Sequence, residues 1–391
     1  MKTEQNNCLK TSNVSIMPSM QPRDVSCTSS TANTMTEYEK PGYELTSFVE
    51  GFVQTDAGAV PKVKTAFDTN VLFSTFKVRC GIKRNKYLVT PGLYCVGNPD
   101  KTSEVLVTAN FKLTFDHVRS QLKDLNAWIL VLDTKGVNVW CAASMGTFAT
   151  DELVRQIKRG CLEKIVDHHR VIVPQLGATG VSAGKVKKAS GFKVVYGPIR
   201  ASDIKAFLKN KRKADQDMRM VTFTLLERLV LTPVELNIAI KPAFITMAVL
   251  LLVSGIGPDI FSFPTAFSRG FIAIAALFIG VITGTVITPA LLPFIPVRTF
   301  AMKGIITGAV LALAAWFLLS TTSIVLPVSS NAALVSLFLL IVTISSFLAM
   351  NFTGTTPYTS PSGVEKEMKM FIPAQLLSLV VASGFWIYAA F

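Results

Sequence analysis

Two patterns of apolar positions divide the chain. From about residue 46 to 210, short apolar runs alternate with stretches whose apolar residues recur at helical spacing, and beyond residue 238 the apolar positions run on with no polar face. In the first region Ser103–Asn110 (SEVLVTAN), Ala127–Thr134 (AWILVLDT), Val137–Trp140 (VNVW), Arg170–Gly177 (RVIVPQLG) and Phe192–Pro198 (FKVVYGP) read as buried strands. Between them, Thr114–Leu125 and Thr150–Ile165 read as helices, the second with Leu153, Ile157, Cys161 and Ile165 on one stripe and Thr150 as its N-cap. Strands alternating with helices predict an α/β domain over 46–210 with a largely parallel sheet, whose ligands sit beyond the carboxyl ends of strands. Residues 1–45, rich in Ser, Thr, Asn and Met without any period, are predicted to be a disordered tail.

The second region holds five runs near the ~20 residues that cross a bilayer: 239–257, 270–292, 304–326, 331–351 and 371–391, together an all-α transmembrane domain over 239–391. Residues 211–238 form a basic juxtamembrane linker before it. Arg298 and Lys303 follow the second span and Lys366 and Lys369 the fourth, whereas LPVSS after the third carries no charge. The positive-inside rule then predicts a multi-pass protein of the cell (inner) membrane, with the α/β domain cytoplasmic and the C-terminus outside. Ionisable residues are scarce in the spans, and Lys241 and Arg269 are expected to snorkel from span ends, so an anchor is a better reading than a transporter or receptor with a regulatory α/β domain.

Composition sharpens this picture. Half of the 391 residues are hydrophobic and the mean hydropathy is +0.44, as a membrane protein requires. The net charge of +14, concentrated ahead of the spans, suits an anionic lipid surface rather than nucleic acid. MKTEQNNCLKTSNVSIMPSM lacks the apolar core of a signal peptide. Six cysteines without a C-x-x-C pair argue against an iron–sulfur cluster or a zinc site in this chain, so electrons would have to come from a partner. Cys80, Cys95 and Cys161 read as core residues, and Cys8 and Cys27 as tail thiols able to meet soft metals. His168 and His169, near a helix end, read as structural.

Cys141 is the residue that asks for chemistry, because it lies where a strand is expected to give way to a helix. A thiol there could be a nucleophile, a redox group or a soft metal ligand. No histidine base and no resolving cysteine adjoin it. The residues alone leave open a single soft ligand to a metal already held by a cofactor, and equally a plain buried strand-end cysteine.

The stretch NVWCAA followed by GTFATDELV resembles the cap-helix signature of the HgcA family of mercury-methylating corrinoid proteins, membrane relatives of the corrinoid iron–sulfur protein large subunit. PGLYCVGNPDKTSEVLVTANFKLTFDHVRSQL, VIVPQLGATGVSAGKVKKASGFKVVYGPIRASDI, LVLTPVEL and MNFTGTTPYTSPSGVEKEM look like the same family, so the resemblance extends over about residues 60–391. It implies a Rossmann-like domain holding a cobalamin-type corrinoid, with Cys141 as the lower axial ligand of cobalt and as the catalytic residue. It implies methyl transfer from the cysteine-ligated methylcobalamin to thiol-bound Hg(II), re-methylation by a folate-type donor, and reduction by a ferredoxin-like HgcB-type iron–sulfur partner. Around Cys141 the motif adds Asn138, Val139, Trp140, Ala142, Ala143 and Ser144 as cofactor contacts. Thr108, Asn110, Gln175, Gly177 and Gly180, at or after predicted strand ends, are further candidates for corrin amides or the nucleotide tail. One departure stands out: Ser144-Met145 occupies the place where the family usually has Gly-Lys, which also raises a methyl carrier with a non-mercury acceptor.

Overall fold

The fold is taken from a computed structural model that describes residues 47–321, 330–352 and 361–391. The predicted tail over 1–45 and most of LPVSS lie outside the described residues.

The first domain is built on one seven-stranded sheet in the order β1-β2-β3-β5-β4-β6-β7. Its strands are β1 (Val49–Thr55), β2 (Gly58–Val63), β3 (Gly92–Val96), β4 (Val105–Ala109), β5 (Ala127–Leu132), β6 (Arg170–Val173) and β7 (Lys193–Tyr196). The strands β5, β4, β6 and β7 are mutually parallel. Antiparallel β3 borders β5, and the β1–β2 hairpin closes that edge. Helices α1 (Thr69–Arg79), α2 (Lys112–Gln121), α3 (Val139–Met145), α4 (Thr150–Arg159), α5 (Leu162–Ile165), α6 (Ala183–Ser190) and α7 (Ile204–Lys209) make the connections. Alternation along the strands feeds two cores. Val107, Leu130 and Leu132 pack with Phe148, Leu153 and Ile157 on one face, and Leu106, Ile129 and Val131 with Phe115 and Phe207 on the other. The chain steps from β4 to β5 on one side and to β6 on the other, so the strand order reverses at β4, where such sheets open a crevice beyond their carboxyl ends.

The hairpin is clipped on by charge. Asp116 accepts from Lys112 Nζ and from Arg119 Nε, each at 2.7 Å, and all three side chains are buried. Arg119 Nη1 also donates to the carbonyls of Lys64 and Ala66 on the strand leaving the hairpin. Breaking such a buried set would strand an uncompensated charge.

Three differences from the sequence reading concern this domain. Val137–Trp140 is not a strand; Asn138 caps α3, so Cys141 lies in the first turn of a helix. Short β-branched runs cannot be told from helix starts by period alone. The predicted helix over 150–165 is broken at Gly160 and at Cys161, whose φ is +45°. Thr150 is not its N-cap but its first residue, and its hydroxyl accepts from the Ser182 amide at 2.9 Å. Strands β1, β2 and β3 were not anticipated: VEGFVQT and GAVPKV mix glycine, proline and polar residues in place of an apolar run, and GLYCV is an apolar run of only four residues.

The second domain contains five helices long and apolar enough to cross a membrane: Leu225–Ser254, Phe263–Leu291, Phe300–Leu318, Asn331–Asn351 and Gly363–Tyr388. Their elements are α8 (Leu225–Leu229), opened by a Thr224/Glu227 capping box, α9 (Thr232–Ser254), α10 (Phe263–Ile282), a π-helical turn Thr283–Ile287, α11 (Thr288–Leu291), α12 (Phe300–Thr321), α13 (Asn331–Asn351) and α14 (Pro361–Tyr388). Helix α13 is the hub. Gly280 of α10 and Gly284 of the π-helical turn approach it from one side, and Gly304 and Gly308 from α12. A Cβ at Gly284 or Gly304 would lie 2.8 or 2.6 Å from the same Ser345 carbonyl. These two G-x-x-x-G pairs are the small-residue seams that let helices meet in lipid.

Arg269 does not snorkel. It is buried, with its guanidinium 4.7 Å from the Trp386 ring centroid and bonded to the Trp386 carbonyl, while Trp386 Nε1 donates to Ser254 Oγ at 2.9 Å. Lys303 is buried as well, donating to the carbonyls of Leu292 and Ile295 beyond the end of α11. A hydropathy window averages such single charges away.

Candidate ligand-binding site

Cys141 is positioned by two asparagines. Asn110, fully buried just past β4, accepts from Thr134 N, Thr134 Oγ1 and Gly136 N and donates to Asp133 Oδ1, at 2.8–3.2 Å. It thereby shapes the turn after β5 and fixes where the next helix begins. Asn138 then caps that helix, its Oδ1 accepting from the Cys141 amide at 2.9 Å. Helix α3 ends after seven residues at Gly146, with φ +77°. From behind, the helix is held by missing side chains. A Cβ at Gly180 would lie 2.1 Å from the Phe148 carbonyl and 3.2 Å from Ala143 Cα, and one at Gly177 would strike the Phe148 ring.

A cavity of about 430 Å³ opens at the β4/β6 crevice. Asn138, Val139 and Trp140 of α3 form one wall, Thr75 and Arg79 of α1 contribute another, and Pro174 and Pro198 follow the ends of β6 and β7. The lining is mostly apolar. Thr108 on β4 lines it too, and its buried Oγ1 has no hydrogen-bond partner. An orphaned buried hydroxyl in a cavity wall is what a ligand atom would satisfy. Two cations, Arg79 and Arg200, and the His117 imidazole are also among the lining residues.

Of the twelve residues singled out from sequence, Thr108, Asn138, Val139 and Trp140 meet at this cavity. Cys141 follows on the same helical turn and is half-buried. Ala142 and Ala143 face the core. Ser144 is exposed, its hydroxyl donating to the Trp140 carbonyl at 3.3 Å. Asn110, Gly177 and Gly180 lie behind the site as supports, and Gln175 is bonded to Arg219 Nη1 at 2.9 Å. His168 bonds the Ser103 carbonyl and His169 stacks on Phe192, in structural roles.

Sequence reasoning missed Arg84. Its pKa is lowered, chiefly by burial, against an opposing electrostatic interaction with Cys141. In sequence it is one cation in the basic run KVRCGIKRNK, and nothing there distinguishes it from surface charge. His117 is held below the usual histidine range, first by burial and then by Arg79, and so is neutral near pH 7. Cys95, by contrast, is pushed up to about 12 by burial, which makes it inert. Among the described residues no three His, Cys, Asp or Glu side chains gather as a metal site. A metal at Cys141 would therefore need its remaining ligands from a cofactor.

Fold and site together define an α/β domain with a cavity at the switch point of its sheet, a half-exposed thiol on the helix that supplies one cavity wall, and five helices of membrane-spanning length among the described residues. Residues 66–208 match the family model of the CdhD family, the CO dehydrogenase/acetyl-CoA synthase delta subunit. The chain is 35% identical over 125 residues to the acetyl-CoA decarbonylase/synthase complex subunit gamma of Methanopyrus kandleri, covering 32% of this chain and 27% of that subunit. It is 30% identical over 149 residues to the gamma subunit of Archaeoglobus fulgidus, covering 37% and 31%. It is 34% identical over 116 residues to the corrinoid/iron-sulfur protein large subunit of Moorella thermoacetica, covering 29% and 26%. The matches thus span about a quarter to a third of these relatives, and the family model lies within the α/β domain, beginning after its β1–β2 hairpin.

Proposed function

We propose that this chain is a membrane-anchored corrinoid protein that transfers a methyl group to Hg(II), forming methylmercury. The observation that carries the reading is the sharing of one helical turn: α3 gives Asn138, Val139 and Trp140 to the cavity wall and presents Cys141 next in line. The similarity of the α/β domain to a corrinoid/iron-sulfur protein supports the cofactor.

The residues present fit a corrinoid. A cavity of about 430 Å³ takes a nucleotide tail rather than a macrocycle. Its apolar wall suits a heteroaromatic base, Thr108 Oγ1 offers that tail a hydrogen bond, and Arg79 and Arg200 suit its phosphate. When bound, the corrinoid supplies a cobalt centre able to carry a methyl group and release it to an electrophile. Cys141 would hold the cobalt through its sulfur, within the electrostatic reach of Arg84. Asn138 and Asn110 keep that sulfur in place by fixing the start of α3. Reduction falls to a ferredoxin-like HgcB-type partner and re-methylation to a folate-type donor. The helical domain anchors the chain in the cell membrane, with the α/β domain in the cytoplasm.

One observation favours a second reading of the acceptor. Ser144 and Met145 are exposed at the end of α3, Met145 by 68%, and replace the Gly-Lys that the resemblance leads one to expect. A methyl carrier with an acceptor other than mercury would accommodate that change.

The test uses the full chain, co-expressed anaerobically with a ferredoxin-like partner in a host that does not methylate mercury. Methylmercury formation that disappears in Cys141→Ala, from protein that carries a corrinoid absorbance, is the expected result. Methylmercury only from the Ser144→Gly/Met145→Lys variant would transfer the reading to another acceptor, and purified protein without corrinoid after reconstitution would overturn it.

A further inference from the structure

Helix α1 is apolar on two sides. Val71 and Val78 are buried and Thr75 and Arg79 line the cavity, yet Leu72, Phe73 and Phe76 are 54, 59 and 65% exposed. A helix apolar all round belongs in contact all round, and neighbouring large apolar side chains in water mark an interaction surface. The flanking charge is of one sign. From Thr69 to Pro99 there is no acidic residue, whereas Lys77, Arg79, Lys83, Arg84 and Lys86 follow one another. Lys77 lies over the Phe73 ring, 4.2 Å from its centroid, in the manner of a cation whose stem covers apolar surface.

The position of α1 says what covers this face. The turn after it meets the first span: Gly81, with φ +80°, stands so close to Asn237 that a Cβ would lie 2.9 Å from its Nδ2. Counting the ~20 residues of a bilayer crossing back from Ser254 puts the lipid boundary of α9 near Asn237. Ile82, beside that turn, is 47% exposed, and Phe76 lies less than two helical turns away along the chain. A cationic, aromatic helix at headgroup level is continuous with the bilayer surface.

We propose that α1 is an interfacial helix, with Leu72, Phe73 and Phe76 seated in the headgroup layer of an anionic bilayer and the flanking lysines and arginines on lipid phosphates. Because Thr75 and Arg79 of the same helix line the cavity, the lipid surface sets the position of a cavity wall. The inference rests on the helical domain crossing a membrane and is independent of the corrinoid reading.

Full-length protein in vesicles of phosphatidylcholine and phosphatidylglycerol tests it. Phe73→Trp and, separately, Phe76→Trp introduce a reporter, with emission taken as the difference from the unsubstituted protein. Brominated lipid is expected to quench about half or more of the added emission, and aqueous iodide little of it. Lys187→Trp on exposed α6 is the water-facing control, quenched by iodide alone. Trp316 on α12, read as the difference from Trp316→Phe, is the lipid-facing control. If Trp316 responds to brominated lipid while residues 73 and 76 do not, the proposal is overturned, through open water if iodide quenches them and through a covering protein surface if it does not. If Trp316 is unquenched as well, the membrane reading fails and this inference with it.

Discussion

The α/β domain and the helical domain hold their parts in register by opposite means. In the first, polar side chains do the fixing: Asn110 makes four hydrogen bonds to residues 133–136, Asn138 caps α3, and Asp116 joins two buried cations. In the second, side chains are left out: Gly280, Gly284, Gly304 and Gly308 let α10, the π-helical turn after it and α12 approach α13, with hydroxyl pairs such as Thr288–Thr307 at 2.6 Å between them. The difference follows from the surroundings. In water, burial of apolar faces assembles the layers and polar groups are free to shape loops. Between helices in lipid there is little hydrophobic gain, and close contact has to supply the attraction.

Domain-resolved hydrogen exchange on the full chain can break or sharpen this contrast. The largest effect is expected from Gly180→Ala, whose Cβ would meet the Phe148 carbonyl. It should cost about 3 kcal/mol or more and deprotect α3 and α4 while leaving the helical domain unchanged. Gly304→Leu should do the reverse, loosening α12 and α13 by about 2–4 kcal/mol with the α/β peptides unaffected. Loss of protection in both domains from either variant would show that they unfold as one unit. Asn110→Ala should cost about 2 kcal/mol, confined to the 133–138 turn. Asn138→Ala should cost about 1 kcal/mol and speed alkylation of Cys141 as α3 frays. The smallest effect is one of pH. The Cys95 thiol, raised to about 12, stays protonated and unlabelled up to about pH 10, so a rise in labelling of the folded protein over that range belongs to other thiols.

Hydropathy exposed the helical domain almost entirely, because spans are long and every residue in them contributes to the signal. It did not show how they pack: Arg269 and Lys303 looked like span-end charges and are buried partners of Trp386 and of the Leu292 and Ile295 carbonyls. In the α/β domain the four parallel strands were legible as apolar runs. Strands β1, β2 and β3, on one side of the sheet, were not, because pairing and not composition makes them strands. The site divided in the same way. Asn138–Cys141 stood out as a motif, and its Asn138, Val139 and Trp140 line the cavity, whereas Arg84 near Cys141 and His117 in the cavity wall are brought there only by folding and leave no local trace. Asn110, Gly177 and Gly180 were singled out by their place after strands as cofactor contacts, and they lie one layer behind the cavity wall.

The contact between Gly81 and Asn237 also has a meaning for biogenesis. All seven strands and the cavity residues are synthesised before the first span leaves the ribosome, and domains fold in order as they emerge. The turn next to Arg84 is completed only by a residue of that span. The α/β domain therefore completes its contact with the helical domain only after Asn237 has been synthesised.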